Sequence, residues 1–230
     1  MKEILLVISI LFGIERVWAQ NVSDLPANSF PFNLSGNTIQ TFDNRYEGVK
    51  GFPTFLEDHC PGTVELKKDE HYKNVLINYD AVSDNLIARS DRTKANMIVR
   101  KDLVASFILH DGLVEYEFVK LPVDGVPTFL LTLSEGTISF FCKVSKEIKR
   151  AELGGAYNVS GNPYDEFRTI YTFYITEGAV LQTIPQTKRG IIKFFPTIEK
   201  ELNAFFKANK ADLTDLHYAK SLFAFINTNL

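Results

Sequence analysis

Cysteine, tryptophan and methionine are scarce in this chain: two, one and two residues among 230. Two cysteines, Cys60 and Cys142, cannot make a disulfide framework, so the fold has to rest on its own core. Neither can they supply a thiolate zinc centre. The four histidines, His59, His71, His110 and His217, stand in no H-x-x-x-H or C-x-x-C spacing. No metal site is read from the sequence, and the histidines are expected to be solvent-facing turn residues.

Other absences remove whole classes of function. There is no clustered basic stripe of the kind that binding a phosphate backbone requires, so nucleic acid is not an expected partner. Gly154-Gly155 is not followed by Lys-Ser/Thr, which leaves no phosphate cradle and no reason to expect a cofactor. No G-x-S-x-G elbow is present. After the N-terminal segment no apolar run reaches the roughly 20 residues that a spanning helix needs, so no transmembrane anchor is expected.

The first residues are distinctive. Lys2 is followed by the uncharged apolar run Ile4 to Ile14, and Val17-Trp18-Ala19 places small residues three and one before a cut. This is the pattern of a secretory signal peptide over residues 1–19, with Gln20 as the mature N-terminus and a periplasmic or extracellular location. A lipoprotein would need a cysteine at the cut, and none is there. Outside the cytoplasm a Cys60–Cys142 disulfide is chemically allowed. Sequence leaves it open against Cys142 being a small buried hydrophobe.

Nineteen Phe and nine Tyr imply a core built on aromatic packing. Residues 20–62 are rich in Asn, Ser, Pro and Gly without a sustained period, and read as an extended lead-in that packs onto the domain through its aromatic side chains. From residue 63 short strand-like runs alternate with turns: Thr63–Lys67, Lys73–Tyr79, Asn85–Arg89, Met97–Arg100, Val104–Leu109, Glu115–Lys120, Thr128–Leu133 and Ile138–Val144. Breaks such as Asp111-Gly112 and Asp124-Gly125 supply local hydrogen bonds and positive φ. They are too short for crossover helices, so neighbouring strands should pair antiparallel as an up-and-down meander. After a polar, glycine-rich connection over 145–167, Arg168–Thr176 and Ala179–Ile184 form a further hairpin.

The period changes after Pro185. A short turn, Lys188 to Phe195, stops at Pro196. Ile198, Leu202, Phe205 and Phe206 share one helical face, with Thr197 as the expected N-cap. Ala219, Leu222, Phe223 and Ile226 share another behind Thr214. The expected fold is α+β: an antiparallel β-rich body over 63–184, with curling into a partial barrel as one option, and two or three helices over 185–230 packed on it. The segment 20–184 carries a net charge of −6 and the tail +3.

Several strings resemble a family of exported proteins of unknown function from Bacteroidota-type bacteria. They are Arg45–Gly51 (RYEGVKG), Pro61-Gly62-Thr63, Asn74–Arg89 (NVLINYDAVSDNLIAR), Tyr164–Phe167 (YDEF) with Tyr171–Tyr174, and the C-terminal helices. The resemblance implies export and a β-rich fold. It brings no activity, cofactor or catalytic residue.

Candidate chemistry is sparse. A nucleophilic set of Cys142, His110 and Asp111 can be drawn, but an apolar strand explains Cys142 better. Glu115 and Glu117 alternate on one strand face, and Asp80 with Asp84 flanks a turn; both have ordinary structural roles. Two aromatic stretches, Tyr46, Phe52 and Phe55, and Tyr164, Tyr171 and Tyr174, are the candidate binding residues. The expected function is a non-catalytic exported module of the cell envelope that binds a protein partner or a ligand. The alternatives are an apolar-ligand carrier with a β cavity and an envelope hydrolase using a carboxylate pair.

Overall fold

The structure is a computed structural model that describes residues 35–39, 46–68, 70–90, 94–136, 138–151, 163–177, 180–210 and 212–230. The expected signal peptide and its cleavage site lie outside the described residues. No helix among those described is long and apolar enough to cross a membrane.

Eleven strands form one open antiparallel sheet. They are β1 (Ser35–Ile39), β2 (Cys60–Leu66), β3 (His71–Asp80), β4 (Asn85–Arg89), β5 (Asn96–Val99), β6 (Val104–Asp111), β7 (Val114–Val123), β8 (Val126–Ser134), β9 (Phe140–Lys149), β10 (Glu166–Glu177) and β11 (Val180–Thr183). Helices α1 (Lys188–Phe194), α2 (Glu199–Ala208) and α3 (Leu216–Asn229) follow. The α+β class is as the sequence implies, and ten of the strands fall on the expected runs. The eleventh, β1, lies in the lead-in.

The turn chemistry explains the hairpins. Asp124 and Gly125 both have positive φ (49° and 78°), as a two-residue type I′ turn between β7 and β8 requires. Strand order departs from a simple meander. It runs β1-β5-β4-β3-β2-β6-β7-β8-β9-β10-β11, so the chain returns after β5 to pair β6 with the free edge of β2. Two meanders therefore share a seam at β2. Gly62 sits on that seam, opposite Val75 of β3 and Leu109 of β6. A Cβ there would come within 2.4 Å of the Ile108 carbonyl oxygen.

The sheet is strongly curled. Five strand spacings separate β3 from β9 in the order, about 24 Å if the sheet were flat. Yet the Tyr79 hydroxyl on β3 lies 3.3 Å from the Val144 carbonyl oxygen on β9. Inside the curl, Tyr79, Phe107, Phe118 and Phe129 are at most 1 % exposed. Their ring centroids stand 4.8 to 6.3 Å apart. The three helices close the remaining part of the same face. Phe223 of α3 packs on Phe140 and Phe173 at 4.9 and 5.2 Å, and Asn227 donates to the Ile138 carbonyl at 2.7 Å.

Residues 50–55 form a strap between the two ends of the curl. Lys50 N–H donates to the Asp165 carbonyl and its own carbonyl accepts from Phe167 N–H beside β10. At the other end Phe55 N–H donates to the Tyr79 carbonyl, and Ala81 N–H to the Pro53 carbonyl. Phe55 packs edge-on against Tyr116 and Phe118. Of the expected lead-in, residues 46–55 lie against the sheet through these backbone hydrogen bonds and through their aromatic rings.

Helix starts differ from expectation in detail. Thr187, not Thr197, caps a helix: its hydroxyl accepts from Gly190 N–H at 3.0 Å at the start of α1. Thr197 lies in a 3-10 turn, Pro196–Ile198, that runs directly into α2. Asp215, one residue past Thr214, caps α3 by accepting from His217 and Tyr218 N–H.

Candidate functional site

Both cysteines are free and buried, so the disulfide left open by sequence is not formed. Cys60 lies on β2 and Cys142 on β9, four places apart in the strand order. Burial raises both thiols, Cys60 to about 11 and Cys142 further still. A thiol so protonated and enclosed is a packing group, and the drawn set of Cys142, His110 and Asp111 has no nucleophile to offer.

His110 is instead half-buried on β6, not in a turn, and belongs to a different arrangement. Its Nδ1 lies 3.0 Å from Glu115 Oε1 on β7, directly across the ladder, and its Nε2 lies 3.4 Å from Thr63 Oγ1 on β2. An ionised carboxylate only accepts, so a bond to Glu115 needs the proton on Nδ1; in the neutral ring Nε2 then accepts from the threonine hydroxyl, and in the protonated ring it donates to it. The 3.4 Å separation makes that second bond weak. Beside it, Ser106 Oγ donates to Glu65 Oε2 at 2.8 Å. Glu117 occupies the same outer face of β7, and its carboxyl is raised by burial first, then by Glu135, Glu65 and Glu115. The result is a polar, acidic patch on the outside of β2, β6 and β7.

The Asp80 and Asp84 turn is a closed network. Asp80 accepts from Val82 N–H, Ser83 N–H and Ser83 Oγ. Asp84 accepts from the Tyr79 hydroxyl at 2.9 Å and Phe129 N–H at 3.2 Å, and pairs with Lys101 at 2.5 Å. These groups lock the β3–β4 hairpin onto β8. Among the described residues no group of His, Cys, Asp and Glu could hold a metal ion. No family model, curated protein or solved structure matches this chain.

The six aromatic candidates do not converge. Tyr46 packs on Phe167 at 5.3 Å, and Phe52 lies under the Lys146 ammonium at 4.0 Å, both near the strap. Phe55 and Tyr171 pack against the main core. Tyr174 is on the opposite face, in a smaller cluster with Leu130 and Phe141. Tyr164 is 59 % exposed. The split of Tyr171 from Tyr174 follows from the alternation of β10, which sends positions three apart to opposite sides.

Lys146 was not singled out by sequence. Its side chain reaches back to the strap and donates to the Phe52 and Thr54 carbonyls at 3.0 and 2.6 Å. Burial lowers its amine to about 8.

A concave surface feature with accessible charge lies on the helices. Lys188, Arg189, Ile192 and Lys193 of α1 face Glu199 and Asn203 of α2 across a groove of about 480 Å3. α1 is set by its Thr187 cap and stopped by Pro196, and the 3-10 turn folds α2 back beside it. Lys188 also lies 5.4 Å above the Phe206 ring.

Proposed function

We propose that this chain is a non-catalytic binding module that works in the cell envelope or outside the cell. The filled interior of the curled sheet carries this reading. Four buried rings, with centroids 4.8 to 6.3 Å apart, occupy the middle of the curl, which supports a scaffold whose outer surfaces meet a partner. The same packing counts against an apolar-ligand carrier, which needs a dry cavity. Export rests on the N-terminal segment, and kinship with exported Bacteroidota-type proteins rests on the strings quoted above.

A second reading, an envelope hydrolase, draws on the outer patch. Glu117 with its raised carboxyl, and the Thr63, His110 and Glu115 chain, are groups that acid–base chemistry uses. They lie on a sheet face, and Glu115 is 70 % exposed.

Native mass spectrometry of protein purified from its own host tests the two together with hydrolysis assays on ester and glycoside panels. A non-covalent adduct or stoichiometric complex that dissociates on denaturation, with no turnover, is the expected result. Turnover that is lost in Glu117→Gln or His110→Ala would overturn the binding reading in favour of the hydrolase. A polypeptide mass beginning at Gln20 checks the cleavage.

A further inference from the structure

We propose that the α1–α2 groove is a binding site for a phosphate monoester carried on a small organic ligand. This rests on the binding-module reading and names the site and ligand class for it. Three cations, Lys188, Arg189 and Lys193, line the groove against one carboxylate, Glu199, so its walls carry two net positive charges. All three are exposed, and none makes an ion pair with a described residue. Charge that is neither paired nor dispersed around a concave wall focuses potential into it.

The other lining groups fix the kind of ligand. Asn203 Nδ2 is already donated to the Glu199 carbonyl at 2.9 Å, which leaves the Oδ1 acceptor of that amide available to a ligand hydroxyl. Ile192 offers an aliphatic wall. A volume of about 480 Å3 lies in the range of small-molecule sites, well above that of a bare ion. A dianion with a compact organic body matches these walls. Arg189 supplies a planar fork for two phosphate oxygens, while Lys188 and Lys193 act as point charges. A monoanionic sulfate ester leaves one positive charge uncompensated. The groove is separate from the outer acidic patch on β2, β6 and β7, so neither reading depends on the other's residues.

The test is titration of the purified full chain with phenyl phosphate and with phenyl sulfate, followed by NMR and calorimetry at low and moderate salt. The expected result is one-to-one binding of phenyl phosphate, at least about tenfold tighter than phenyl sulfate, weakening as salt rises. Lys188→Ala with Arg189→Ala should lower the affinity about tenfold or more. Lys207→Ala with Lys210→Ala removes the same charge elsewhere and should leave affinity within about twofold. Circular dichroism of both variants checks the fold. Absence of phenyl phosphate binding, equal losses in the two double variants, or equal affinity for the sulfate would each overturn the proposal. Retention on phosphatidate vesicles without binding of phenyl phosphate would overturn the small-ligand assignment. A ligand found by native mass spectrometry that carries no phosphate would leave the binding-module reading standing while this assignment fails.

Discussion

Lys146 shows how one side chain ties the lead-in to the sheet and what that costs. Its ammonium is held by two carbonyls and the Phe52 ring, with no carboxylate partner among the described residues, and burial lowers its amine to about 8. A lysine whose folded pKa lies below its unfolded value binds fewer protons folded than unfolded between the two. Stability therefore rises with pH across that window. Cys60 and Cys142, raised by burial, act with the opposite sign above about pH 9. The expected outcome is that the wild-type protein gains stability relative to Lys146→Met between pH 7.5 and 9. Urea midpoints of the two proteins across that range check it. The thiols give a second outcome: both react with Ellman's reagent in denaturant and neither does so in the native protein within minutes.

The aromatic interior is where single substitutions should matter most. Phe118 contacts Tyr79, Phe107 and Phe55 rings and is fully buried. Phe118→Ala is expected to cost about 3–5 kcal/mol, measured by denaturant unfolding.

Elements are joined at points where local chemistry is decisive. Gly62 lies where β2 is shared by the two meanders, and an added Cβ would meet backbone that cannot move away as a side chain can. Gly62→Ala should destabilise by at least about 1–3 kcal/mol, with the seam losing amide protection before the β8–β10 hairpins in hydrogen exchange. At the helical end, Asp215→Ala removes a cap that satisfies two N–H groups of α3. A loss of about 1 kcal/mol is expected from thermal or urea unfolding.

At the scale of the molecule, the filled curl makes a prediction that separates a scaffold from a carrier. An apolar dye such as ANS should stay dark with the native protein and light up only as unfolding exposes the ring cluster. Bright native-state emission displaced by fatty acids would place a cavity in a molecule whose described interior is packed.

Much of this protein is written in its sequence. Short strand-like runs bounded by turn residues marked ten of the eleven strands, and alternation in Arg168–Thr176 marked which residues of that strand share a face. The switch to helical spacing after Pro185 marked the C-terminal helices. Those patterns state which way a residue faces, and are silent on which strand lies beside it. The return of β6 to the free edge of β2 is decided by the curl. So are the approach of Tyr79 to Val144 and the meeting of Thr63 with His110 across 47 positions of chain. The groove of Lys188, Arg189 and Lys193 likewise exists only because Pro196 ends α1 and the following turn folds α2 back beside it. Local chemistry chose the elements, while burial of the aromatic side chains in one shared core chose their neighbours, and a site is made of neighbours.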